Sequence, residues 1–150
     1  MNNLLVIHSL QTGFLLLDRI LEVDTNLIVG EKTFRGDPAY LGIEALAQLG
    51  AYHVRFLNDF GKHAFLLKIQ SCTLPEDSAI EGSYRLYGEI QAVSASSYCH
   101  RLEARREETV GWGGVFLFSS IDYDDRFKKD LLQTHYRKTF SCLRSDTKTG

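Results

Sequence analysis

Apolar and polar positions alternate along most of this chain, and the alternation is interrupted by one long helical stretch. Residues 14–34 read as extended. Phe14-Leu15-Leu16-Leu17 runs into Asp18-Arg19-Ile20-Leu21-Glu22-Val23, Asp24-Thr25-Asn26 supplies turn chemistry, and Leu27-Ile28-Val29 follows, which is a strand–turn–strand signal. Residues 38–58 read as one helix. Residues 64–74, 84–93, 97–105 and 112–121 read as strands. The clearest alternation puts Tyr84, Leu86, Gly88, Ile90 and Ala92 on one side and Arg85, Tyr87, Glu89 and Gln91 on the other. The small residues from Ser94 to Ser97 suit a turn or bulge. Val115-Phe116-Leu117-Phe118 is a buried strand run. After Ile121, Asp124-Asp125 precedes a charged, mildly amphipathic stretch to about Phe140, a surface helix, and residues 145–150 read as a frayed end.

The order is two strands, one long helix and four strands. That is an α+β arrangement. A sheet of about six antiparallel strands with a single helix to cover it must curl around that helix. The chain reads as one domain over residues 1–150, its core spanning about residues 10–121.

The helix carries the most information. Asp37 is a favoured N-cap and Pro38 a favoured first helical residue. Asn58 and Gly61 offer stopping chemistry. From Ala39 to Val54 the segment is apolar or small nearly all round, the pattern of a helix enclosed by other structure. Gly42 and Gly50 each weaken it by roughly 1 kcal/mol against Ala, which fits a close approach by strands. Within this stretch Glu44 is the one carboxylate. An ionised carboxylate in an apolar interior costs several kcal/mol, so it finds a partner or keeps its proton. Glu44 is therefore a site candidate, against the alternatives that it pairs with Arg35 or reaches solvent. Gln48 lies one turn later on the same face and is placed to hold Glu44 or a polar atom of a substrate.

Composition narrows the partners. Seventeen basic and 19 acidic residues leave a formal charge of -2, so there is no basic field for nucleic acid or an anionic membrane. Apolar runs stop at four residues, far below the ~20 of a membrane helix. No basic residue precedes Arg19, so the start does not read as a secretory signal. Cys72, Cys99 and Cys142 are odd in number and widely spaced, the usage of free thiols in a reducing cytoplasm. No pair has the spacing of a zinc site, and no metal or cofactor is implied. Gly111-Trp112-Gly113-Gly114 lacks the Lys-Ser/Thr of a phosphate loop and reads as a bulged strand start. Asp18-Arg19 reads as an ion pair or sheet-end contact. Arg101, Arg105, Arg106, Lys128 and Lys129 alternate with acids and read as a solvated face, against the alternative that they meet an acidic carrier protein or a CoA phosphate.

Three segments resemble the hotdog-fold family of 3-hydroxyacyl-[acyl carrier protein] dehydratases of fatty acid synthesis. The stretch from Phe14 to Val23 is similar to the family's first-strand motif. Ile43-Glu44-Ala45-Leu46-Ala47-Gln48 is similar to its central-helix motif, glutamate and glutamine included. Phe65-Leu66-Leu67-Lys68-Ile69 and Gly114-Val115-Phe116-Leu117-Phe118 fall where the family has sheet strands. The resemblance implies a curled antiparallel sheet around the helix and a homodimer whose sheets join. It also implies a tunnel at the interface for an acyl thioester on acyl carrier protein or CoA.

In that family a histidine before the helix removes the α-proton of the substrate. The helix carboxyl group protonates the departing hydroxyl, and an amide near the helix start polarises the carbonyl. Here Glu44 carries over as the catalytic group, and Gly36, Asp37 and Gln48 fall at the substrate. The loop Lys32-Thr33-Phe34-Arg35-Gly36-Asp37-Pro38 contains no histidine. Asp37 as a substitute base competes with its capping role. His8 precedes the first strand, His53 falls two to three turns beyond Glu44, and His63 and His100 read as structural or exposed. Three functions stay open: a dehydratase-like enzyme using Glu44, a hotdog thioesterase using the same carboxylate, and an acyl-binding homologue without chemistry.

Overall fold

The computed structural model describes residues 15–123 and 129–145. The alternating segments become strands β1 (Arg19–Val23), β2 (Leu27–Pro38), β3 (His63–Thr73), β4 (Ala79–Ser94), β5 (Ser97–Arg106) and β6 (Thr109–Ile121). Helix α1 (Ala39–Leu57) stands between β2 and β3, and helix α2 (Lys129–Ser145) follows β6. The strands form one sheet in the order β1-β2-β4-β5-β6-β3, antiparallel at every step. The α+β architecture expected from the element order is the one observed.

Period-two side-chain placement decides which residues meet α1. Ile28, Phe34, Leu86, Leu102, Trp112, Phe116 and Phe118 from the strands join Ala45, Leu46, Leu49 and Val54 of the helix in one core. Each large apolar side chain so buried contributes roughly 1.5–3 kcal/mol. Gly42 and Gly50 have the role their cost implied. A Cβ on Gly42 would stand 2.7 Å from Ile80 Cδ1 and 2.9 Å from the Trp112 ring, and one on Gly50 would run into the Phe118 ring. At the β1–β2 turn the Asp24 carboxylate accepts the N–H groups of Asn26 and Leu27, both at 2.8 Å, and these bonds hold its pKa below the usual range.

α2 covers the C-terminal half of α1. Its apolar stripe buries Leu132, Tyr136 and Leu143, and Phe140 lies 5.9 Å from Phe56 and 5.2 Å from Phe60, ring to ring. The Arg55 guanidinium lies 3.7 Å from the centre of Tyr136 and 4.8 Å from that of Tyr52. It donates to the Ala64 carbonyl at 3.3 Å. A cation in the last turn of α1 also opposes the negative end of the helix dipole. The enclosure expected for α1 is incomplete within one chain, because Tyr40 is 69% exposed and Ile43 and Ala47 are half-buried.

Three local readings are revised. Helix α1 begins one residue late, with Pro38 in extended backbone at the N-cap position, because β2 runs on to Pro38. Asp37 does not cap it, since its carboxylate accepts the Arg35 N–H at 3.0 Å. β4 begins at Ala79, five residues before the alternation becomes legible. Of the two readings of Asp18-Arg19, the sheet-end contact is the one observed: Asp18 reaches Lys32 and Arg19 reaches Glu31 on β2, at 3.7 Å in both cases. Gly111 does form the expected bulge, between the pairs Ala104–Trp112 and Arg105–Val110. The readings made for His8, Phe14, Asp124, Asp125, Lys128 and residues 146–150 lie outside the described residues. Among the described residues no helix is long and apolar enough to cross a membrane.

Candidate active site

Glu44 sits in the second turn of α1, beside the half-buried Ile43. It is half-buried and has no hydrogen bond or ion pair among the described residues. The alternative of a pair with Arg35 is therefore not realised. Burial without a partner disfavours the charged form, and it pushes the Glu44 carboxyl above its ordinary value.

Along the chain on either side of it lie three kinds of group. Gln48 follows one turn later, and its side-chain carbonyl accepts the Leu16 N–H at 2.8 Å. The start of α1 lies on the other side. Among the described residues no side chain caps its first amides, and no acid stands in its first turn. Donor groups are thus open at the positive end of the helix dipole. Gly36 precedes them in left-handed backbone, φ +68°, at the bulge where β2 shifts register against β4. Asp37 stands beside it, its carboxylate turned back onto Arg35.

Beneath the first turns lies a group that the sequence did not single out. Trp112 is 1% exposed, and its indole N–H has no partner among the described residues. Its ring packs edge-on to Phe34, centroids 5.6 Å apart, and its nitrogen-bearing edge faces Gly42.

The histidines are placed elsewhere. His53 is nine residues beyond Glu44, about 13 Å along the helix axis. It bonds to His100 (Nδ1 to Nε2, 2.9 Å) and to the Asp24 carbonyl (Nε2, 2.8 Å). A carbonyl only accepts, so Nε2 of His53 carries its proton and Nδ1 is bare. Nε2 of His100 then donates to it, and Nδ1 of His100 is left a bare acceptor with no partner among the described residues. His63 is buried against Tyr123 and Tyr136, and His135 lies on α2 beside Tyr136. None of these four bonds to Glu44. The pairing of His53 with His100 joins residues 47 apart, and no spacing signal in the chain announces it.

Among the described residues no cluster of three or more His, Cys, Asp or Glu side chains could hold a metal ion. Two surface concavities, of about 240 and 600 Å³, lie away from Glu44. One is on the outer sheet face, lined by Tyr87, Arg101 and Arg105 among others, and one is along α2.

Neither a family model nor a curated protein matches the chain. Solved structures do. A thioesterase from Haemophilus influenzae superposes with a TM-score of 0.63 at 13% identity, over 81% of this chain and 90% of that one. The dehydratase heterocomplex ApeI:P from Xenorhabdus doucetiae gives 0.63 at 15% identity, over 83% and 91%. A hypothetical thioesterase from Streptococcus pneumoniae, solved with coenzyme A, gives 0.60 at 11% identity, over 69% and 88%. The chain has the hotdog fold. The hotdog architecture expected from the segments around Leu17, Glu44 and Phe116 is thereby met. At these identities the likeness speaks to fold, and it reaches thioesterases and a dehydratase alike.

Proposed function

We propose that this hotdog protein acts on acyl thioesters with Glu44 as its acid/base group, in the manner of the 3-hydroxyacyl-thioester dehydratases that its first strand and helix resemble. The observation that carries the reading is a half-buried carboxyl group, raised in pKa and without a partner among the described residues, near a helix start that its own N-cap residue leaves uncapped. A carboxyl whose pKa moves toward neutrality suits both halves of a proton transfer. Glu44 takes the α-proton from C2 of the substrate. The C3–oxygen bond breaks, the proton passes to the departing hydroxyl, and water leaves as the double bond forms. An amide at the start of α1 donates to the thioester oxygen as charge gathers there. Gly36 and Asp37 flank that position and Gln48 closes its far side.

One observation favours a second reading. None of the described histidines accompanies Glu44, and hydrolysis needs only a carboxylate acting on water. A catalytically silent acyl-binding homologue is the third outcome. The carrier is acyl carrier protein or CoA. We further propose a homodimer. β3 is an edge strand of eleven residues whose Phe65, Leu67 and Ile69 are exposed. An open, apolar edge is a liability unless another strand covers it.

Incubating the protein with a 3-hydroxyacyl-CoA and with crotonyl-CoA separates these outcomes. Reversible water addition leaves the thioester intact, and hydrolysis frees a thiol. Glu44→Gln abolishes whichever activity is found. Full activity in that variant removes Glu44 from the mechanism.

A further inference from the structure

Residues 15–17 run ahead of β1 without belonging to it, yet they are packed down: Leu17 is 3% exposed and Leu15 and Leu16 pack against the core. Their far end is fastened to β2. The Asp18 N–H donates to Glu31 at 2.9 Å, and the Asp18 carboxylate accepts the Thr33 N–H at 2.7 Å. The near end is fastened to α1 by the bond from the Leu16 N–H to Gln48 Oε1, across 32 residues of sequence. Helical side chains lean toward the helix N-terminus, so the Gln48 amide lies over the turn that bears Glu44. The backbone it holds must pass there too.

Resting on the reading of Glu44 given above, we propose that Gln48 is a positioning residue: it hooks the Leu15–Leu17 segment across α1 and thereby builds one wall of the Glu44 site. The wall is apolar and made of Leu15 and Leu16, so it suits the hydrocarbon part of an acyl group and keeps water off one flank of the carboxyl. Gln48 then acts through the chain's own backbone, and its oxygen is already in use before any substrate arrives.

Two variants of the full chain test this. Gln48→Ala removes the acceptor. Gln48→Glu keeps an acceptor oxygen at the same reach and removes the amide N–H donors. Amide exchange of the 15–18 segment reports the hook directly, and kcat and KM for a 3-hydroxyacyl-CoA report the wall. A second carboxyl one turn from Glu44 shifts its titration, so the kinetics are compared across whole pH profiles. The expected result is exchange at Leu16 about tenfold faster, and KM about tenfold higher, in Gln48→Ala, with Gln48→Glu restoring both. The proposal is overturned if Leu16 exchange is unchanged in Gln48→Ala. It is equally overturned if exchange quickens while kcat and KM stay put, or if Gln48→Glu protects Leu16 yet turns over no better than Gln48→Ala. Failure of the Glu44 reading looks different: the wild-type protein neither binds nor turns over the thioester, although Leu16 protection still depends on Gln48. That outcome removes the wall and leaves the hook.

Discussion

Acid should loosen this protein through the His53–His100 pair. Both rings are fully buried, and burial holds both imidazoles below their ordinary pKa, His100 down to about 3. The Asp24 carboxylate acts on His53 and raises it by less than burial lowers it, and His53 itself lowers His100 further. The geometry gives the same direction. A proton added to His100 Nδ1 would create a buried N–H with no acceptor among the described residues, and one added to His53 Nδ1 would face the N–H that His100 presents. In the unfolded chain a histidine binds its proton near pH 6.5. The folded form therefore holds fewer protons than the unfolded form between about pH 6.5 and 3. Stability is full above the upper limit and drains away as the pH falls through that window. For His100 alone the loss between pH 7.5 and pH 5 is about 2 kcal/mol. Urea unfolding at the two pH values measures it, with His100→Gln as the control that keeps an N–H donor and cannot titrate. The wild type should lose about 2 kcal/mol more than the variant. Equal losses in the two proteins, or NMR titration of either ring near pH 6.5, would refute the reasoning.

Glu44 has the opposite linkage to pH. Its raised pKa means that folding opposes its ionisation, so Glu44→Gln should raise the urea midpoint at pH 8 and lose that advantage at pH 4. Gly50→Ala forces a methyl group into the Phe118 ring and should cost about 1–3 kcal/mol in the same assay. Arg55→Ala removes a buried cation held between two tyrosines and should cost about 2 kcal/mol, with amide exchange in α2 quickening before that in the sheet. If β3 joins a second copy, Leu67→Lys, at a side chain 54% exposed in one chain, should yield monomers in sedimentation velocity without lowering helix content.

Most of the architecture could be read in advance because each element carried its own signal. Alternation in Tyr84 to Ile90 marked an inward and an outward face, while a bulge after Ile90 turns Ala92 to the outer side with Cys99, and Asp24-Thr25-Asn26 marked the turn that the Asp24 carboxylate closes. Gly42 and Gly50, costly in an isolated helix, foretold how closely Trp112 and Phe118 approach. Failures arose where two local rules competed. Asp37 before Pro38 has the composition of a helix cap, but a carboxylate two residues from an open N–H closes a turn on Arg35 instead. The start of β4, Ala79-Ile80-Glu81-Gly82-Ser83, has one large apolar residue and so no period to detect. The candidate site was half legible. A lone acid in an apolar helix stands out in any sequence, whereas the buried Trp112 N–H and the Leu16–Gln48 bond exist only once distant segments are folded together.

The two margins of the sheet are unlike, and this limits how copies of the chain can add to one another. One margin is β1, five residues long with α2 packed beside it. The other is β3, more than twice that length and with no described strand on its outer side. A ribbon that can be lengthened from a single side is finished after one joining, because each newcomer turns its own short, shielded margin outward. If a second copy adds at β3, strand-by-strand growth therefore ends at a pair, and the same asymmetry would guard the molecule against becoming a fibre.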